Sequence, residues 1–223
     1  MLTWLAVLAL VAAVALAVRW WAFGGQRDSL GRPVAFPTIT VTLLVVLSLA
    51  AAYPGFVRRR EEHKLAAVAS AIAGVDVKVV CQTLSGAFVD AGAEAGYVRW
   101  GPDGVPEHTA HIKWEQCKEL RRYLHSKKRN PSFAQLQAVH VLTHEAVHTS
   151  GERVEAVTEC KAVQRDAQTA RLLGAAGDGA RELAWQYWKT VYPNMPDDYR
   201  DGGCAPGGAL DEKLPTSPWV AGP

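Results

Sequence analysis

Residues 139–160 read VHVLTHEAVHTSGERVEAVTEC. His144, Glu145 and His148 spell HExxH within it. On an α-helix, side chains four positions apart stand one above the other, so both imidazoles reach a single metal ion. Zinc suits such a pair because it accepts nitrogen and carboxylate oxygen in a tetrahedron without an electronic preference of its own. Glu145, one step round from His144, then lies beside the ion, where a carboxylate takes a proton from activated water and hands it to a leaving amine. A catalytic zinc needs a third protein ligand. Gly151 breaks the helix just past His148, and so short a connection sends the next helix back antiparallel. Glu155 and Glu159 share one face of that helix: Glu155 is nearer the turn and level with His148, and Glu159 is level with His144. Either carboxylate completes the tetrahedron. The preferred assignment takes Glu155 as ligand and Glu159 as the partner that orients an imidazole, with Glu159 as the alternative third ligand.

The segment from about residue 134 to 162 resembles the zincin metallopeptidases, in particular gluzincin-like members with a glutamate third ligand. That resemblance implies a sheet ahead of the helix pair, an edge strand that aligns an extended peptide, one Zn2+ on His144 and His148, and Glu145 as catalytic base. The metzincin continuation HExxHxxGxxH is not met, because its last position is Val154, which cannot bind zinc. The two glutamates also come sooner than in the larger gluzincins.

Outward from this pair the chain reads as α+β. NPSFAQLQAV opens the motif helix, with Asn130 expected as cap and Pro131 at the first helical position. Its apolar character on nearly every side over residues 139–142 places it in the middle of the domain. WEQCKELRRYL before it is helical, as are ERVEAVTECKAVQRDAQTARLL, stopped at Gly174, and GARELAWQYWKTVY, stopped by Pro193. Trp185, Trp188 and Tyr192 fall at helical spacing and read as core. Further upstream, DVKVVCQ is a β-branched strand, and AGYVRW and HTAHIKW flank the turn GPDGVPE as a hairpin. A zincin-like helical core with a small, mainly antiparallel sheet is therefore expected over 61–192, with an irregular tail over 193–223 tied down by Cys204 and Trp219.

Residues 1–60 are of another kind. An uncharged run covers residues 2–18, and a second apolar run over 38–57 closes on Arg58, Arg59 and Arg60. Each approaches the roughly 17 to 25 residues that a helix needs to cross a bilayer. A cleaved signal peptide would require a positive leader, and MLTW has none. Two transmembrane helices are expected, forming a membrane anchor. Arg19, Arg27 and Arg32 lie around the short connection, while Arg58, Arg59, Arg60 and Lys64 follow the second run, which leans towards a cytoplasmic domain. The four cysteines lean the other way. All of them, Cys81, Cys117, Cys160 and Cys204, follow the apolar runs, and an even number suits two disulfides, so an extracytoplasmic domain is the expectation. Three pairings remain open.

The net charge of +2 singles out no partner class. RRYLHSKKR, over residues 121–129, sits where a helix ends and complements the carbonyl end of its dipole, so no nucleic-acid partner is expected. No oligomeric state is legible. His140 reads as a hydrogen-bonded core histidine, His108 and His111 do not share a strand face, Tyr199 is a weak oxyanion candidate, and Met195 is packing. The resemblance thus implies a membrane-anchored zinc metallopeptidase acting on a peptide or protein substrate. The rival is an anchored interaction or scaffold protein with a structural zinc or an inactive zincin fold. Glu145 separates the two, since a structural site has no use for a carboxylate beside the metal.

Overall fold

A computed structural model describes residues 2–23, 30–32, 35–87 and 94–220. Arg27 lies outside the described residues. The chain divides into two compact units, residues 1–60 and 61–223.

The first unit contains α1 (Leu2–Phe23) and the start of α2 (Thr38–Ala73), two helices long and apolar enough to cross a membrane. Their contacts are made by small residues: Ala6, Ala9, Ala13 and Ala51 are buried, and Ser48 Oγ donates to the Ala6 carbonyl at 2.8 Å. Small side chains let helix backbones approach closely. Leu5, Leu8, Leu43 and Leu47 point outward. α2 continues through Pro54 without interruption and stops at Gly74, whose φ of +73° is the left-handed conformation of a helix stop.

The second unit is mostly helical with one small sheet. β1 (Lys78–Cys81), β2 (Gly96–Trp100) and β3 (Pro106–Ile112) lie in the order β1-β3-β2. The expected hairpin is present: β2 runs antiparallel to β3 across a turn closed by Gly101 N–H to Val105 O, with Gly104 at φ +76°. β1 instead pairs parallel with β3, so the sheet is mixed rather than mainly antiparallel. The physical reason is the strand order. The chain passes from β1 through the short turn α3 (Leu84–Ala87) to β2 at the opposite edge, antiparallel to β1, and the hairpin then folds β3 back between the two, parallel to β1.

α5 (Phe133–Thr149) packs on this sheet, α4 (Trp114–Leu124) and α6 (Glu155–Leu172) pack on α5, and α7 (Gly177–Gln186) packs on α6. α5 starts two residues later than the sequence suggested. Ser132, not Asn130, is its cap: Ser132 Oγ accepts from Gln135 N–H at 3.2 Å, and Gln135 Oε1 accepts from Ser132 N–H at 3.0 Å, a reciprocal box. α5 touches β2, β3, α4 and α6, and almost every side chain from Ala138 to Thr149 is buried. The core around it includes Leu65, Ile112, Leu120, Leu142, Val163 and Leu183.

After α7 the chain widens into a single π-helical turn, Tyr187–Val191. The wider turn changes which aromatic residues face inward. Tyr187 and Tyr192 are buried, while Trp185 and Trp188 are half-buried, Trp188 packing against Trp219 at 5.6 Å between ring centroids. Disulfides join Cys81 to Cys117 and Cys160 to Cys204, the second fastening the irregular tail to α6.

Candidate metal centre

α5 and α6 are joined by a turn in which Gly151 takes φ +105°, and this turn brings the end of one helix against the start of the other. Three ligand-type atoms converge there. His144 Nε2 lies 3.0 Å from His148 Nε2 and 3.1 Å from Glu155 Oε2, and His148 Nε2 lies 3.4 Å from the same oxygen. Bonds of about 2.0–2.1 Å to a tetrahedral cation would separate neighbouring ligand atoms by about 3.3–3.4 Å. The triad is already within a few tenths of an ångström of that spacing.

The other ring nitrogens settle what converges. His148 Nδ1 faces the Glu152 carbonyl oxygen at 2.8 Å, and His144 Nδ1 faces Glu159 Oε2 at 3.0 Å. Carbonyl and carboxylate oxygens only accept, so each Nδ1 carries the proton and, in the neutral rings, each Nε2 offers a lone pair. Two imidazole lone pairs and a carboxylate oxygen thus point at one place, an arrangement that repels itself unless a cation is shared. Burial opposes charge on His144, but hydrogen bonds to Glu155 and Glu159 raise its pKa to about 9, and hydrogen bonds from His144 and His148 lower that of Glu155 to about 2.

One turn further back on α5, His140 Nε2 also meets Glu159 Oε2, at 2.9 Å. Among the described residues two groups could therefore hold a metal ion: His144, His148 and Glu155, and the more deeply buried His140, His144 and Glu159. In the second, His140 Nδ1 is engaged by Asp166 Oδ2 at 2.8 Å and Glu159 Oε1 accepts from the Tyr187 hydroxyl at 2.8 Å. Its atoms are thus tied to groups outside the cluster, whereas the His144 Nε2, His148 Nε2 and Glu155 Oε2 atoms of the first group meet one another.

Glu145 lies beside the first group, 4% exposed, and its Oε2 has no hydrogen-bond partner among the described residues. Burial raises its pKa to about 7 against the pull of His144 and His148. It sits against β2: a Cβ at Gly96 would come 2.8 Å from Glu145 Oε1. Only a glycine leaves this carboxylate its place. Both face a cleft of about 380 Å³ walled by β2 on one side and by Val191, Met195, Pro196 and Tyr199 on the other. The Tyr199 ring is 6.0 Å from that of His144, and burial with the Glu155 charge raises its phenol to about 12. Trp100 meets His148 edge-on at 6.4 Å.

The structure thus brings His144, Glu145, His148, Glu155 and Glu159 together. His108 lies on exposed strand, and His111 stacks on Tyr97 at 4.7 Å, with burial lowering its pKa. Gly96, Asp166 and Tyr187 were not singled out from the sequence, which carries no local signal for them. No family model, curated protein or solved structure matches this chain.

Proposed function

We propose that the chain is a membrane-anchored, zinc-dependent peptidase in which His144, His148 and Glu155 hold the ion and Glu145 is the general base. The observation that carries this reading is the convergence of two imidazole lone pairs and one carboxylate beside a buried, unpartnered second carboxylate. A structural site closed by four protein ligands would leave Glu145 without a task. Bound zinc supplies Lewis acidity, acidifying water and polarising a carbonyl.

Glu145 takes the proton from the attacking water and delivers it to the departing amine. A carboxylate with one oxygen free of any partner among the described residues can serve both halves of that exchange. Gly96 keeps the carboxylate in its groove, and Glu159 holds the His144 ring in one tautomer. β2 is the edge strand of the sheet among the described residues and lines the cleft, a place suited to aligning an extended peptide, in keeping with the resemblance to gluzincin-like zincins. Tyr199 remains protonated at neutral pH and offers a hydroxyl donor at the cleft wall. Two disulfides support an extracytoplasmic domain, and α1 and α2 support the anchor.

The test is zinc content and cleavage of a peptide library by the purified full chain. One zinc per chain is expected, and Glu145→Gln should keep the metal while cleavage falls by about 10²–10⁴. A Glu145→Gln protein that cleaves at the parent rate would sink the mechanism, and zinc without cleavage in the parent would favour a scaffold.

A further inference from the structure

We propose that His140, Asp166 and Tyr187 are positioning residues for the metal centre, acting through Glu159 to fix the donor state of His144. The inference rests on the zinc reading above and adds a layer to it. Glu159 is 1% exposed, and its carboxylate receives three groups: His140 Nε2 at 2.9 Å and His144 Nδ1 at 3.0 Å on one oxygen, and the Tyr187 hydroxyl at 2.8 Å on the other. A carboxylate accepts only, so each group facing it must donate. His140 faces a second carboxylate at its other nitrogen, Asp166 Oδ2 at 2.8 Å. The ring is thus held at both nitrogens by buried carboxyl groups, which fixes its plane and its position against Glu159.

Tyr187 holds this ring from the side. It stacks on His140 at 3.7 Å with 13° between the planes, an arrangement that adds ring stacking to the hydrogen bond from its hydroxyl to Glu159. The π-helical turn beginning at Tyr187 belongs to the same device, since π turns recur where a side chain must be re-aimed. None of the three residues belongs to the ligand triad. Plain core packing does not account for them, because a buried ion pair rarely stabilises a fold more than apolar side chains of the same volume. Their effect is to pin the Glu159 oxygen so that His144 Nδ1 keeps its hydrogen and Nε2 stays directed at His148 and Glu155.

The test uses the full chain in detergent, with zinc affinity measured by chelator competition and the visible absorption bands of the cobalt-loaded protein. His140→Gln, Asp166→Asn and Tyr187→Phe should each lower zinc affinity by about ten- to hundredfold and move the cobalt bands. Tyr187→Phe keeps the ring stack and decides the matter if His140→Gln does not fold. Gln164→Leu is the control for a structural role. Gln164 is fully buried on the same helix but bonds to the Leu210 carbonyl, so its loss should lower stability and leave zinc affinity and cobalt bands unchanged. Affinity and bands like the parent's in folded Tyr187→Phe and Asp166→Asn would overturn the relay alone. A parent that binds no zinc would overturn the metal centre and the relay together.

Discussion

The two units put polar and apolar groups in opposite places. Among the described residues of 1–60, large apolar side chains such as Leu8 and Leu47 face outward and the buried positions belong to alanines and Ser48. In residues 61–223 large apolar side chains fill the interior, and within that interior lie His140, His144, Glu145, His148, Glu159 and Asp166. The difference teaches that burial has two meanings along one chain. An outward leucine on α1 or α2 suits a hydrocarbon solvent, where helices gain from close approach and few polar bonds. An inward carboxylate on α5 or α6 is costly in any solvent and calls for a compensating partner.

The contrast breaks most visibly on core truncation. Leu142→Ala should destabilise the C-terminal unit by about 2–5 kcal/mol, as deletion of a fully buried leucine does, whereas Leu47→Ala should change stability by less than about 0.5 kcal/mol. Thermal unfolding followed by tryptophan fluorescence in detergent measures both, and equal losses would erase the distinction. Gly96→Ala sharpens the view of the buried carboxylate. Its methyl would press on Glu145 Oε1 and Cγ, so cleavage should slow by about tenfold, or about 1.4 kcal/mol of barrier, with zinc content unchanged. A variant that loses its zinc would show that the contact supports the ligands instead.

Tyr123 shows what an uncompensated polar group costs. It is fully buried, and its hydroxyl has no hydrogen-bond partner among the described residues. Tyr123→Phe should therefore stabilise the unit by about 1 kcal/mol in denaturant titrations. Burial also raises this phenol to about 12, so the native state holds the proton more tightly than the unfolded chain does. The resulting stability is whole below pH about 10 and is lost as pH climbs towards 12, and the phenylalanine variant should flatten that alkaline decline. The smallest effect is expected in the other unit. Ser48→Ala removes one interhelical hydrogen bond and should weaken helix association by about 0.6 kcal/mol in an SDS titration. A loss several times larger would make Ser48 a principal tie rather than a minor one.

Much of this was legible because it is local. HExxH, the glycine at 151, the paired Glu155 and Glu159 and the breaker Gly174 follow from spacing within a few helical turns, whereas α7 ends at Gln186, ahead of the stop expected at Pro193. The level assignment of the two glutamates, Glu155 beside His148 and Glu159 beside His144, follows from an antiparallel hairpin alone, although Glu155 also reaches His144. What stayed hidden depends on partners far along the chain. Asp166 meets His140 across 26 residues and Tyr187 meets Glu159 across 28, separations that no periodicity encodes. The parallel pairing of β1 depends on the path of a crossover, and the start of α5 was misplaced because Asn130 and Ser132 are both good caps. Only the reciprocal bond from Gln135 decides between them.

The disulfides have one more consequence, which concerns wear. A single backbone cut anywhere in residues 82–116 or 161–203 leaves both fragments covalently joined, because each stretch is spanned by a disulfide. Between Cys81 and Cys204, a lone cut severs the chain only in residues 118–159, the stretch that carries His144, Glu145, His148 and Glu155. There burial guards the backbone of α5, and the exposed segments 125–132 and 150–154 that flank it are where a lone cut would sever the chain. A molecule exposed to proteolytic damage is thus held together by sulfur on its flanks and is most readily parted at the two ends of its motif helix.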